Sequence, residues 1–223
     1  MTANGPLSPA AELVAWRTRL RRELVAQRER VAAERRRALD ERINALLEAS
    51  FALLAQRAVA FCWPYRAEVD VRVAIRAWRD RGATAALPEV AGSGLPLRFR
   101  QWWPGATMVP GALGIPAPAG TEVVVPAAAL VPLVGFDGGG YRLGYGGGYF
   151  DRTLASLVPR PLAVGVATEA ARLPTIHPQP HDVAMDFIVT EAGVHAVVDG
   201  ALVRLPAAAA AALAAGIMAR RGI

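Results

Sequence analysis

The sequence predicts an α/β fold: a single domain in which a mostly parallel open sheet is flanked by helices in a Rossmann-like three-layer arrangement. Short uncharged apolar runs bounded by proline or glycine, such as residues 58–63 and 162–167, are typical of buried parallel strands. Segments with helical apolar spacing alternate with these runs, as βαβ units require. A length of 223 residues with 53% hydrophobic residues suits one domain with a sizeable core.

The N-terminal helices follow from apolar spacing and from the residues that end each segment. Residues 1–10 are expected to form a loose tail. Apolar residues at helical spacing between residues 11 and 54 predict two helices, or one long bent helix, covering a sheet. A further helix is expected over residues 71–81, where Gly82 ends it.

The strands and the C-terminal elements complete the predicted order. Residues 97–103 alternate enough to predict an antiparallel or edge strand. Asp199-Gly200 is a turn signal inside a predicted hairpin of residues 195–205, and residues 206–221 predict an alanine-rich helix. The remaining strands are expected at residues 58–63, 83–87, 123–125, 130–134, 162–167 and 185–190.

The positive charge is confined to one segment. Residues 16–42 hold ten arginines and five acids, whereas the net charge of the whole chain is +6. This basicity belongs to one helical region and not to a surface that follows a nucleic-acid backbone, so no nucleic-acid partner is expected. All 25 basic residues are arginine, which excludes lysine Schiff bases and lysine general bases.

Cysteine usage and hydropathy indicate a soluble, cytoplasmic protein. The single cysteine, Cys62, excludes an internal disulfide and a multi-cysteine metal site. The uncharged apolar runs are shorter than the ~18 residues that a membrane span needs, and the first ten residues lack the apolar core of a signal peptide. No membrane partner is expected, and the expected state is a monomer, with a weak dimer as the alternative.

The glycine-rich stretch of residues 141–152, YRLGYGGGYFDR, predicts a phosphate-binding loop. Consecutive glycines let backbone N–H groups converge on an anion, above all when a helix begins just after them. The flanking residues predict the order strand, glycine loop, helix, the layout in which α/β proteins hold nucleotide phosphates. Neither a dinucleotide fingerprint nor a P-loop is present, because position 149 is tyrosine and no Gly-Lys-Ser/Thr follows. A glycine-rich turn without chemistry is the alternative.

Residues 142–152, RLGYGGGYFDR, together with residues 131–137, VPLVGFD, resemble the signature of the 5-formyltetrahydrofolate cyclo-ligase (methenyltetrahydrofolate synthetase) family. The resemblance extends over about residues 14–191 and leaves residues 192–223 as a C-terminal extension of unknown role. It implies ATP- and Mg²⁺-dependent cyclisation of 5-formyltetrahydrofolate to 5,10-methenyltetrahydrofolate, with release of ADP and phosphate. It therefore implies Mg²⁺ as the cofactor, and ATP and the folate as the small-molecule partners.

The resemblance also implies roles for individual residues. The ATP contacts would be Arg17, Arg21, Arg142, Leu143, Gly144, Tyr145, Gly146, Gly147, Gly148, Tyr149 and Phe150. The folate contacts would be Trp63, Glu68, Tyr145, Gly146, Gly147, Gly148 and Tyr149. Asp151 and Asp182 would share Mg²⁺, which prefers hard oxygen ligands. Many family members carry lysine where this chain has Gly147, and Arg142 or Arg152 is hypothesised to supply that missing charge.

The residues alone leave other interpretations open. Arg17 and Arg21 share a helical face and are compatible with a solvated charged surface. Trp63 is compatible with plain core packing, and Glu68 and Asp182 with acids that cap a helix or a loop. A sugar-phosphate isomerase or a CoA-transferase-like enzyme on a similar sheet is the first functional alternative. A nucleotide- or RNA-binding protein is the second.

Overall fold

The computed structural model describes residues 9–223. The expected tail lies outside the described residues except for Pro9 and Ala10, which begin the first helix. The helices are α1 (Pro9–Glu29), α2 (Ala33–Ser50), α3 (Arg72–Arg79), α4 (Tyr149–Ser156) and α5 (Ala207–Arg221). The strands are β1 (Ala58–Ala60), β2 (Thr84–Val90), β3 (Leu97–Gln101), β4 (Met108–Pro110), β5 (Pro116–Pro118), β6 (Ala128–Pro132), β7 (Gly135–Phe136), β8 (Arg142–Leu143), β9 (Leu162–Val166), β10 (Phe187–Thr190), β11 (Gly193–Val198) and β12 (Ala201–Leu205).

The main sheet has eight strands in the order β12-β11-β10-β9-β6-β1-β2-β3. The five neighbouring strands from β10 to β2 run parallel. One edge is closed by β3, which is antiparallel to β2, and the other by the antiparallel strands β11 and β12. The structure thus has the mostly parallel open sheet that the apolar runs predict.

Helices and loops cover both faces of the sheet and so make three layers. Helices α2, α3 and α5 pack on one face, where Phe51, Trp78 and Phe187 are fully buried. Helix α4 and its neighbouring loops cover the other face. Successive residues of β9 point to different faces, as the strand repeat of two requires: Val164 joins the first core layer and Ala163 the second.

Residues 11–54 form separate helices, but only α2 covers the sheet. Helix α1 instead lies against the loops at the carboxyl ends of the parallel strands. The guanidinium of Arg28, for example, donates to the carbonyl of Leu133, which directly follows β6 (3.5 Å). The inward stripe of α1 mixes arginine with leucine, so it suits a row of loop carbonyls better than an apolar sheet face.

The strand expected at residues 123–125 is absent, and this prediction was wrong. The segment crosses the outer edge of β3 with an isolated bridge between Arg100 and Val123. Val123 and Val125 are 47% and 65% exposed. β-Branched residues favour strands, but Pro126 follows at once and withholds the N–H that a continued ladder would need.

The C-terminal elements continue the same sheet and core. Strands β11 and β12 form the predicted hairpin, with Asp199 and Gly200 at positive φ (49° and 76°), as a type I′ turn requires. Helix α5 ends at Gly222 in the left-handed conformation, and its buried side chains are Ala210, Ala214 and Met218. None of the helices within residues 9–223 is both long and apolar enough to cross a membrane.

Candidate nucleotide and folate site

A cavity of ≈ 70 Å³ lies at the carboxyl ends of β1, β6 and β9, where open α/β sheets bind ligands. Its walls come from α1, from the loops after these strands and from the short 3₁₀ turn at residues 169–171. The lining is largely apolar, and its charged members are Arg28 and Glu68. A mostly apolar cavity with a few converging polar groups is the usual form of a small-molecule site.

The glycine loop follows a two-residue strand of the β7–β8 hairpin and not the buried parallel strand β6. The predicted order of strand, glycine loop and helix is therefore right, but the strand is a different one. Gly146 and Gly148 have φ of +97° and +63°, which side-chain-bearing residues rarely adopt. Helix α4 begins at Tyr149, directly after the loop, so its first N–H groups adjoin the loop amides.

Helix α1 contributes arginines to this loop and to its surroundings. Arg21 Nε donates to the carbonyl of Gly144 (2.7 Å), and burial lowers the pKa of this guanidinium. Arg17 forms an ion pair with Asp182 (2.7 Å) and also donates to the carbonyl of Ile176 (3.1 Å). The helix thereby carries two predicted ATP-binding arginines to the glycine loop and to the loop that holds Asp182.

Asp151 is linked to the loop that holds Asp182 through Val183, the residue that follows Asp182. Asp151 Oδ1 accepts from the backbone N–H of Val183 (3.0 Å). Arg142 pairs with Asp151 (2.7 Å) and donates to the carbonyl of Val183 (2.7 Å). Burial alone would raise the pKa of Asp182, but the hydrogen bond from Arg17 holds it below its usual range. Both carboxylates are therefore compensated by guanidinium groups.

Arg28 connects the cavity to the glycine loop. Its Nη2 donates to the hydroxyl of Tyr145 (2.7 Å) and lies 4.0 Å from Glu68 Oε1. Glu68 is 6% exposed, and its Oε2 accepts from the N–H of Tyr65 (3.0 Å). Burial raises the pKa of Glu68, and the charge of Arg28 opposes that rise.

Similarity to known proteins identifies the family to which the chain belongs. The sequence model of the 5-formyltetrahydrofolate cyclo-ligase family matches residues 14–191. This chain belongs to that family. A 5-formyltetrahydrofolate cyclo-ligase of Mycolicibacterium smegmatis is 34% identical over 120 residues, which is 50% of this chain and 61% of that protein. One of Mycoplasma pneumoniae is 39% identical over 62 residues, 28% of this chain and 37% of that protein. The chain thus spans less than two thirds of the length of either curated relative.

Solved structures of methenyltetrahydrofolate synthetases share the fold. The Aquifex aeolicus protein has a TM-score of 0.71 at 29% identity, over 85% of this chain and 96% of that one. The Mycoplasma pneumoniae protein has a TM-score of 0.66 at 24% identity, over 78% of this chain and 98% of that one. The predicted fold class and family are therefore confirmed.

Several residues expected from the cyclo-ligase family lie in the core and not at the cavity. Leu143 is 1% exposed, and Phe150 packs partly buried against the second core layer. Trp63 does not line the cavity; the guanidinium of Arg72 lies 4.7 Å from its ring centroid, and Trp102 packs edge-on against it at 5.9 Å. The roles proposed for these side chains in ligand contact stay predictions.

Sequence reasoning missed Arg28. At 100° per residue, positions 17, 21 and 28 lie within about 40° of one another around a helix, so they share one face. Arg17 and Arg21 were predicted to share this face, but Arg28 was not included. The stripe extends one step further, to the arginine that enters the cavity, and this signal was present in the sequence.

The donor set of the expected Mg²⁺ site fits that ion. Asp151 Oδ2 and Asp182 Oδ1 accept no hydrogen bond from the described residues; His181 Nε2 lies 3.8 Å from Asp182 Oδ1, beyond hydrogen-bond distance. One hard oxygen of each carboxylate therefore remains for a cation. No cluster of three or more histidine, cysteine, aspartate or glutamate residues suited to a metal occurs within residues 9–223. The remaining ligands would have to be phosphate oxygens and water, which is the usual situation for Mg²⁺ beside a nucleotide.

Proposed function

We propose that this protein catalyses the ATP- and Mg²⁺-dependent cyclisation of 5-formyltetrahydrofolate to 5,10-methenyltetrahydrofolate, with release of ADP and phosphate. One observation carries the proposal: Arg28 bonds the glycine loop through Tyr145 and borders Glu68 in the neighbouring cavity. Arg28 therefore lies between the candidate phosphate-binding loop and the candidate folate pocket and contacts both. We also propose that the enzyme is cytoplasmic, because its substrates are soluble small molecules. We propose that it is monomeric, because one chain supplies both the cavity and the glycine loop.

The reaction needs positioning more than acid–base groups, because ATP activates the poor leaving group. The formyl oxygen on N5 attacks the γ-phosphorus and ADP departs. N10 then attacks the resulting imidate carbon, loses its proton and expels phosphate as the ring closes. The amides of residues 144–148, Arg17 and Arg21 are proposed to hold the triphosphate. Asp151 and Asp182 would hold Mg²⁺, which when bound neutralises phosphate charge.

We propose Arg152 as the cation that takes the place of a side chain at position 147. Its Nη2 donates to the carbonyl of Gly147 (2.7 Å), and its guanidinium lies 5.0 Å from the ring centroid of Tyr149. Arg142 is the other candidate, but its side chain is only 4% exposed and engages Asp151 and Val183. Replacing Arg152 by methionine should raise the Kd for Mg-ATP more than the same change at Arg142 does.

The deciding experiment combines purified protein, 5-formyltetrahydrofolate and Mg-ATP and follows the absorbance of the methenyl product. Product should appear only when ATP is present. Arg21→Met should lose most of the rate, whereas Arg22→Met, at the exposed neighbouring position, should retain it. Activity on sugar phosphates or CoA esters without ATP would favour the isomerase or transferase alternative. A salt-dependent RNA shift at physiological ionic strength would favour the RNA-binding alternative.

A further inference from the structure

The pair formed by Arg28 and Glu68 is charged, buried and not closed into a hydrogen bond. Their side chains are 14% and 4% exposed, yet Nη2 and Oε1 stand 4.0 Å apart. At this distance the two atoms do not form a hydrogen bond with each other. Burying a charged group without a hydrogen-bonded partner costs free energy. Both residues line the cavity, so both remain able to bond a third molecule there.

Arg28 has N–H groups, and Glu68 has acceptor sites, that are free to bond a ligand. The guanidinium of Arg28 donates from Nε to Arg66 O (3.0 Å), from Nη1 to Leu133 O (3.5 Å) and from Nη2 to Tyr145 (2.7 Å). It has five N–H groups, so two remain without a partner among residues 9–223. Glu68 accepts from the N–H of Tyr65 through Oε2, and the hydroxyl of Tyr145 also lies within hydrogen-bonding reach of its carboxylate. A carboxylate has about four lone-pair sites, so Glu68 can still accept from a third molecule. The cavity therefore presents a carboxylate acceptor beside a guanidinium donor.

This order of groups complements one edge of a 2-amino-4-oxopyrimidine ring. That edge carries an exocyclic amine, a ring N–H and a carbonyl oxygen in sequence: donor, donor, acceptor. A carboxylate can take the two donors, and the neighbouring guanidinium can then donate to the oxygen. A 4-amino ring has a donor in place of that oxygen, and its N3 carries a lone pair in place of the N–H. The guanidinium and one oxygen of the carboxylate would then both lose their partners.

We propose that Arg28 is a specificity-determining residue that binds the 4-oxo group of the folate ring while Glu68 accepts from its 2-amino and N3 positions. This inference rests on the proposed function and adds the basis on which 4-oxo and 4-amino pteridines are told apart. The contacts of Arg28 with Arg66, Leu133 and Tyr145 hold the guanidinium in place before the ligand arrives. Such prior positioning favours discrimination, because a mispaired buried donor cannot turn away to find water.

The test measures binding of 5-formyltetrahydrofolate and of its 4-amino-4-deoxy counterpart to the full chain by calorimetry. Wild type should bind the 4-oxo ligand at least about tenfold more tightly, since an unpaired buried donor costs about 1–3 kcal/mol. Arg28→Met should keep only the preference that Glu68 exerts through N3–H, so the ratio of the two Kd values should fall well below that of wild type. Arg28→Lys, which keeps a donor and the charge, should retain part of the preference. Arg22→Met, which changes an exposed arginine of the same helix, should leave the preference unaltered.

A purely structural role for Arg28 gives a different result: both affinities would fall together and their ratio would stay as in wild type. Equal binding of the two ligands by wild type would overturn the inference even if Arg28→Met failed to fold. A wild type that cyclises 5-formyltetrahydrofolate, while the ratio is the same in wild type and Arg28→Met, would overturn this inference alone. A wild type that binds neither ligand would overturn the proposed function with it.

Discussion

The guanidinium of Arg142 lies 2.7 Å from the carboxylate of Asp151, with only 4% of the arginine side chain exposed. Burial lowers the pKa of Arg142, and the charge of Asp151 opposes that effect. The pair fixes the first turn of α4, directly after the glycine loop, against the backbone of Val183. Arg142, which is expected to contact ATP, therefore also stabilises the backbone that flanks the glycine loop.

Removing Arg142 should destabilise the protein. Arg142→Met leaves Asp151 beside an apolar side chain, and the loss of one partner of a buried ion pair costs about 3 kcal/mol or more. The free energy of unfolding in urea measures this directly. The double variant Arg142→Met/Asp151→Asn should recover part of the loss, because no unpaired charge remains. Equal stability of Arg142→Met and wild type would contradict the ascribed supporting role.

The glycine loop should not tolerate a side chain at position 146. An alanine there would have to adopt φ near +97°, and its Cβ would lie 3.3 Å from the Arg21 guanidinium carbon. Gly146→Ala should therefore cost about 1–2 kcal/mol of stability and weaken Mg-ATP binding as Arg21 is displaced. Gly138→Ala is the matched control, since Gly138 lacks a positive φ and its Cβ would have nothing within 4 Å. Similar ATP affinities and unfolding midpoints for the two variants would argue against this account.

Local signals in the sequence predicted the glycine loop, the parallel strands and the C-terminal hairpin, because each depends on residues close together in the chain. The segment 123–125 failed because strand propensity does not show what a residue pairs with, and Pro126 interrupts the ladder. The position of α1 could not be predicted either. Helical spacing defines an inward face, but only the folded chain shows that this face meets loop carbonyls and the cavity. The helical face of Arg28 was therefore predictable from the spacing, but its contact with the cavity was not.

Acidity should change stability through Asp40. Burial raises the pKa of this carboxyl to about 6, and the Asp70 carboxylate adds to the rise. In the unfolded chain the pKa is about 3.9, so the folded protein binds more protons between about pH 4 and pH 6. The stability of the folded state therefore falls as pH rises through this window and stays reduced above it.

Asp40→Asn should remove that penalty. The amide oxygen can still accept from the N–H of Asp70 (3.3 Å in wild type), while no charge forms. At pH 7.5 the variant should be more stable than wild type by about 1 kcal/mol, a value reduced for partial solvent exposure; at pH 4 the two should match. Asp199→Asn, in the exposed hairpin turn, should show no pH-dependent difference from wild type. A constant difference between Asp40→Asn and wild type across the range would refute the shifted pKa.

Removal of Mg²⁺ should abolish product formation, and substitution of its proposed ligands should shift the concentration required. In Asp182→Asn the Mg²⁺ concentration for half-maximal rate should rise at least about tenfold, a loss seen even for groups that only support a ligand. The variant also breaks the pair with Arg17, so the Kd for ATP must be measured separately. Asp80→Asn, at the exposed end of α3, is the control. A wild-type Mg²⁺ response in Asp182→Asn would exclude this carboxylate as a ligand.

The C-terminal helix should unfold together with the rest of the sheet, and Arg221 tests this. Its guanidinium forms a bidentate pair with Asp186, at 2.6 and 2.8 Å, next to the start of β10. Arg221→Met should lower the free energy of unfolding by about 1–2 kcal/mol. Asp186 then loses both bonds from Arg221 but keeps the N–H of Ala163 and an ion pair with Arg160 at 3.5 Å. Arg220→Met removes an exposed arginine from the same turn and should change the free energy of unfolding little.

Urea unfolding should remain a single transition with an unchanged m value, since α5 buries Ala210, Ala214 and Met218 in the shared core. A separate early transition in Arg221→Met would instead mean that α5 is an independent attachment.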